Sequence, residues 1–203
     1  MTANLGTDTF PIALQRDVPS GSIVRSKFRR VELIVWRDDS DRIHVWEDRC
    51  PHRSVRLSAG RNRGDSIEGA YHGWKFGKDG NVIDIPAEGH SARADIRVKT
   101  FPCAIAGGFV WIGDRAEPRP PKTVATVNED AHLRPIYINA PVDVVSEALR
   151  ETFGVQLWVT PCEDNLSLVM GYTTGQPSKL DAVRRANHLL SHLRRAIEAS
   201  YRP

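Results

Sequence analysis

The chain has 203 residues, 40% hydrophobic and 26% charged, with 28 Lys and Arg against 25 Asp and Glu for a formal net charge of +3. That balance excludes a disordered chain and leaves room for one ordinary core or two small ones. No apolar run approaches the ~18 residues of a membrane span, and the start lacks the basic and apolar regions of an export signal, so a cytoplasmic location without a membrane partner is expected.

In the first half, Glu32-Leu33-Ile34-Val35-Trp36-Arg37 and Arg42-Ile43-His44-Val45-Trp46-Glu47 are β-branched and aromatic runs around the turn-forming Asp38-Asp39-Ser40-Asp41. That pattern predicts a hairpin. Trp74-Lys75-Phe76 and Asn81-Val82-Ile83-Asp84 flank Gly77-Lys78-Asp79-Gly80 as a second hairpin, and Gly108-Phe109-Val110-Trp111-Ile112 reads as a further strand. Short strands with frequent turns predict an all-β sandwich or small barrel. Glu117-Pro118-Arg119-Pro120-Pro121 then places a stiff linker at 117–121 between a domain at 1–116 and one at 122–203.

Beyond it, Leu133 to Asn139 reads as a strand, Pro141 to Leu149 as a short helix with proline in its first turn, and Val155 to Thr160 and Leu166 to Tyr172 as two more strands. Val183, Ala186, Leu190, Leu193 and Ile197 recur at spacings of three and four, which predicts an amphipathic helix from Lys179 to Ser200, capped by Ser178 with Asp181. The expected fold class is α+β: an all-β domain of short antiparallel strands and hairpins, followed by a small α+β unit.

Cys50-Pro51-His52-Arg53 follows the first hairpin directly, and Gly69-Ala70-Tyr71-His72-Gly73-Trp74-Lys75-Phe76 comes after a Gly- and Arg-rich stretch. Thiolate and neutral imidazole are the ligands of iron–sulfur and zinc chemistry. A [2Fe-2S] site with two histidines on one iron needs Cys-x-His followed by Cys-x-x-His. Cys50, His52 and His72 stand at that spacing, while the second cysteine position is Gly69, which has no side chain to offer. A single zinc or iron ion on Cys50, His52 and His72, with water in the fourth position, is the other chemistry these donors allow. Gly60, Gly64, Gly73 and Gly77 suit tight loops around them.

Residues from about Phe10 to Gly113 resemble the Rieske domain of the Rieske non-heme iron oxygenases, particularly the vanillate O-demethylase and phenylpropionate dioxygenase-like branch. The resemblance is carried by Glu47-Asp48-Arg49-Cys50-Pro51-His52-Arg53, Tyr71-His72-Gly73-Trp74-Lys75-Phe76, Phe101-Pro102 and Gly108-Phe109-Val110-Trp111-Ile112. It implies a Rieske-type domain with a [2Fe-2S] cluster, Cys50 on the buried iron and His52 and His72 on the outer one. It also implies a redox partner, a ferredoxin or reductase, or a complete oxygenase subunit, in an assembly that can be oligomeric. The family has Cys-Pro where this chain has Gly69-Ala70.

The second domain resembles an abbreviated helix-grip domain, with its opening around Ile138 to Val145 and its closing strands and helix. The family's Asp-x-x-His-x-x-x-x-His element for a mononuclear iron is absent from the sequence. The resemblance therefore implies an electron-transfer or oxidoreductase component with an incomplete cluster site, and not a self-sufficient oxygenase. A cluster-free binding or structural subunit that pairs with a complete oxygenase is the alternative.

The remaining candidates read as structural. Three cysteines without an export signal favour metal binding or burial over a disulfide framework, and Cys103 and Cys162 are expected as small buried or half-exposed residues. His188 and His192, one helical turn apart, fall on a basic helix face opposite the apolar stripe. His44, His90 and His132 are isolated, and Trp36, Trp46, Trp74, Trp111 and Trp158 are expected in the core. The arginine groups at Arg25, Arg29 and Arg30, at Arg53, Arg56, Arg61 and Arg63, and at Arg184, Arg185, Arg194 and Arg195 lack interleaved aromatics, so no nucleic-acid partner is expected. They suit an acidic electron-transfer partner.

Overall fold

The computed structural model describes residues 8–124, 127–152, 154–174 and 180–201. Contacts group the chain into two compact units, Ala13–Lys27 with Val31–Cys103, and Met1–Ile12 with Phe28–Arg30 and Ala104–Pro203. This division differs from the expected one at the prolines of 117–121. The cause is hydrogen bonding that composition does not display. The Arg29 N–H donates to the Pro161 carbonyl at 2.8 Å and the Arg30 N–H to that of Cys162 at 2.6 Å, so a turn from early in the chain belongs with its second half.

The described chain opens with β1 (Thr9–Leu14), β2 (Ile23–Phe28), β3 (Val31–Arg37) and β4 (Ile43–Glu47). Next come β5 (Arg61–Asn62), β6 (Ser66–Glu68), β7 (Lys75–Gly77), β8 (Asn81–Ile85), β9 (Ser91–Arg97) and β10 (Thr100–Phe101). The unit that contains Val31–Cys103 is built on two sheets, ordered β10-β4-β3-β2 and β5-β6-β7-β8-β9. In the expected first hairpin Leu33 faces Glu47 and Arg37 faces Ile43. The second hairpin forms one residue later than expected at its first strand, because the Trp74 carbonyl is taken by the Gly69 N–H at 2.9 Å and closes the loop ahead of β7.

Ile34, Trp36, Trp46, Leu57, Ile67, Trp74, Phe76 and Ile85 form the core of this unit, and Cys50 packs against it. Burial of each large apolar side chain is worth about 1.5–3 kcal/mol. This core sets where the chain between β4 and β7 can run.

In the other unit, β11 (Ala104–Ala106) and β12 (Phe109–Gly113) form a sheet in the order β1-β12-β11. A second sheet, β13-β15-β14, joins β13 (Ile136–Ile138), β14 (Val155–Glu163) and β15 (Leu166–Thr173), with α1 (Val142–Ala148) and α2 (Leu180–Ser200) supplying the helices. The strand expected over Leu133 to Asn139 is shorter because Pro135 has no N–H to donate, and the Asn139 N–H leaves the ladder for Glu198 Oε1 at 2.9 Å. The apolar stripe of α2 behaves as its periodicity predicts: Ala186, Leu190 and Ile197 are buried, with Val183 and Leu193 packed against the same core. The expected Ser178 cap and Lys179 lie outside the described residues.

Two buried carboxylates pin the loops around the first hairpin. Asp38 accepts hydrogen bonds from the Ser40 N–H (2.8 Å) and the Arg42 N–H (2.9 Å), and it meets His44 Nε2 at 3.0 Å. Burial alone would push its carboxyl up, but hydrogen bonds from His44, Arg42, Ser40 and Lys78 outweigh that and hold it well below the usual carboxylate range. Asp48, with no side-chain exposure, accepts from the Ser58 N–H (2.7 Å) and the Ser58 hydroxyl (2.6 Å), and so closes the loop that carries Cys50 and His52.

Asp38→Ala is expected to lower stability by about 3 kcal/mol, since two backbone donors lose a buried partner. The folded-state pKa of Asp38 lies below its unfolded value near 3.9, so the unfolded chain takes up the proton first as pH falls. Its contribution is therefore full above about pH 5 and declines below about pH 4. Urea unfolding at a series of pH values should show that acid slope in the wild type and a reduced slope in the variant. For Asp48→Ala, faster amide exchange over residues 50–58 is expected, at a stability cost of about 2 kcal/mol; unchanged exchange would show that the loop is held by other means.

Candidate metal centre

Two loops form the centre, both within the Val31–Cys103 unit. The first runs from Asp48 to Ser58. The Cys50 N–H donates to Val55 O at 2.9 Å and the Ser54 N–H returns to Cys50 O at 2.8 Å, with Ser54 in the left-handed region at φ 58°. The second is the tip of the β6–β7 hairpin, where Glu68 faces Lys75 and the Gly69 N–H to Trp74 O bond closes the loop. Glycine is needed at two points. A Cβ at Gly60 would stand 2.1 Å from the Glu68 carbonyl oxygen, and Gly73 turns the loop at φ 68°.

These closures bring His52 and His72 together. Their Nδ1 atoms are 3.0 Å apart, and the His52 ring stacks on Trp74 at 4.4 Å between centroids and 5° between planes. Tyr71 lies against His72, 3.9 Å between centroids. Cys50, Gly69 and both imidazoles line a shallow depression, together with Arg53 and Arg56. Burial lowers the His52 pKa, and the charges of His72 and Arg53 lower it further against a smaller opposing effect of Glu88. A neutral imidazole is the form that binds a metal ion.

Each expected donor therefore lines the same depression, though not as one ligand set. Two imidazole nitrogens 3.0 Å apart suit a shared metal ion at about 2.0–2.1 Å from each. Among the described residues no group of three His, Cys, Asp or Glu side chains gathers so as to hold one metal ion. The expected alternative of a single zinc or iron ion on Cys50, His52 and His72 together is therefore not supported by this arrangement. A two-iron group places sulfur on one iron and nitrogen on the other. Such a group needs four protein donors, and only three are present. The imidazole half of the site fits a [2Fe-2S] cluster, and the thiolate half, with Gly69, does not.

No other cysteine fills the gap. Cys103 donates its S–H to the Ile43 carbonyl at 3.4 Å, and burial pushes its thiol up to about 11, so it is not a thiolate at neutral pH. Cys162 is buried in β14 within the other unit. Of the isolated histidines, His44 pairs with Asp38, His90 Nδ1 meets Asp84 Oδ1 at 2.8 Å, and His132 Nε2 meets the Gly107 carbonyl at 2.7 Å. His188 and His192 do meet, Nε2 to Nε2 at 2.9 Å, on the exposed face of α2 beside Arg195. The contact of Trp74 with His52 is not legible in the sequence. Its indole is buried as expected, yet one face carries His52.

The sequence profile of the Rieske [2Fe-2S] domain matches residues 8–102. The chain is 33% identical over 154 residues to "Oxidoreductase NdmD" of Pseudomonas putida, covering 70% of this chain and 25% of that protein. It is 37% identical over 105 residues to the phthalate 4,5-dioxygenase oxygenase subunit of Pseudomonas putida, covering 50% of this chain and 24% of that protein. The chain thus spans about a quarter of the length of these curated relatives. Among solved structures, apo dicamba monooxygenase superposes with a TM-score of 0.76 over 98% of this chain and 86% of that one; at 14% identity this likeness shows the fold alone. Residues 8–102 therefore carry a Rieske [2Fe-2S] domain, similar to that of oxygenase subunits such as the one of phthalate 4,5-dioxygenase.

Proposed function

We propose that this chain is an electron-transfer or oxidoreductase component of an oxygenase system, with its site at Cys50, His52 and His72. The observation that carries this reading is the imidazole pair, whose Nδ1 atoms stand 3.0 Å apart over the Trp74 face. The stack fixes the plane of His52, and burial lowers its pKa, which favours the neutral form a metal ion binds. A bound [2Fe-2S] group would supply one-electron transfer.

The chain's own residues set the conditions for that chemistry. Trp74 fixes the plane of His52, Asp48 holds the loop beneath Cys50, and exposed Tyr71 and His72 present the site at the surface. Arg53 and Arg56 give the surrounding wall a positive charge that steers an acidic ferredoxin or reductase. In this reading oxygen activation is assigned to a complete oxygenase subunit acting as partner. A second reading is favoured by Gly69: a cluster-free subunit that keeps the Rieske fold to bind that oxygenase.

Iron and acid-labile sulfide should be measured on protein purified without oxygen, for the wild type and for Gly69→Cys. The substitution is sterically open, since a Cβ there would meet only the Trp74 carbonyl oxygen, at 3.7 Å. The redox reading expects about two irons and two sulfides per chain in Gly69→Cys, with a lower and more labile content in the wild type. No sulfide in either protein supports the cluster-free subunit instead.

A further inference from the structure

We infer a second metal site on α2, where His188 and His192 hold a divalent ion of tetragonal preference, copper(II) or nickel(II), through their Nε2 atoms. It shares no residue with the centre at Cys50, His52 and His72 and lies in the other unit.

The helix sets the pair. Residues four apart lie on one face, a turn from each other, and here the two Nε2 atoms stand 2.9 Å apart with both side chains exposed. The backbone beneath them is held in rotation. Ala186, Leu190 and Ile197 are buried in the core, and the Asn187 side-chain oxygen, one residue before His188, accepts the Arg134 N–H at 2.8 Å. Ser191, one residue before His192, donates its hydroxyl to the Asn187 carbonyl at 2.9 Å. Both donors are therefore presented by a fixed scaffold, open to an ion from solution.

The distance selects the ion. Imidazole nitrogens 2.9 Å apart, each about 2.0–2.1 Å from a metal, subtend about 90° at it. That is the angle between adjacent positions of a square-planar or tetragonal ion, the geometry that marks copper(II) and nickel(II) among N and O donors. Tetrahedral zinc, at about 109°, needs the nitrogens about 3.3 Å apart. Among the described residues no third His, Cys, Asp or Glu side chain joins the pair, so water completes the coordination.

Charge sets the strength of the site. Arg195 Nη2 lies 3.1 Å from His192 Nδ1, and since a guanidinium only donates, the proton of the neutral His192 ring sits on Nε2. Metal binding moves that proton to Nδ1 and displaces Arg195; no proton is lost and no electron changes hands. The other nearby arginines repel a cation less than their number suggests. Arg184 faces Asp181 at 4.0 Å, and Arg194 faces Glu198 at 3.7 Å.

The test is calorimetric titration of the whole chain with nickel chloride at neutral pH, in a His52→Ala/His72→Ala background that removes the other imidazole pair. One nickel per chain is expected. Adding His192→Ala should weaken binding roughly tenfold or more, and the loss should be larger for nickel than for zinc. A second measurement uses the wild-type chain, so it does not depend on how the variants fold: substoichiometric nickel, paramagnetic with water in its remaining positions, should broaden the backbone amide signals of residues 185–195. Absent binding, binding indifferent to His192→Ala, an equal or larger loss for zinc, or broadening that spares residues 185–195 overturns the inference.

Discussion

The approach of His52 to His72 through Nδ1 is the contact on which the rest of the site depends, and neither histidine produces it alone. Each lies on a loop closed by its own backbone hydrogen bonds, Cys50 N–H to Val55 O in one and Gly69 N–H to Trp74 O in the other. Trp74 connects the two, because it ends the second loop and stacks on the histidine of the first. Its indole is buried in the same core as Trp36 and Trp46, so the ring that orients His52 is itself held by apolar packing. Core packing on this side of the unit thereby becomes a constraint on donor geometry.

The energetic weight lies in buried partners more than in surface charge. Asp48, without exposure, holds both donors of Ser58. Exposed ion pairs such as Arg93 with Asp95 are worth little at this level, because solvent screens them and ordering two long side chains costs entropy.

Much of the fold was legible because the relevant signals are local. β-branched and aromatic runs around Asp38-Asp39-Ser40-Asp41 predict β3 and β4, and the spacing of Ala186, Leu190 and Ile197 predicts the buried face of α2. The strand β9 was not legible: Ser91-Ala92-Arg93-Ala94-Asp95 has little β propensity, and the segment is a strand because β8 offers it a pairing edge. The unit division was hidden for a similar reason, since the proline run reports local stiffness while Arg29 and Arg30 bond far along the chain. Within the site, spacing identifies Cys50, His52 and His72 as candidates. It carries no information on ring rotation, which the Trp74 face sets, nor on Asp48, a carboxylate that looks like any other acidic residue until its burial is seen.

The most direct test of the account is pulsed electron paramagnetic resonance of the reduced, reconstituted chain produced with 15N-labelled histidine. The account predicts hyperfine coupling from two imidazole nitrogens on one iron, with one coupling lost in His72→Ala. A reduced cluster without nitrogen coupling, or couplings untouched by that substitution, would contradict it.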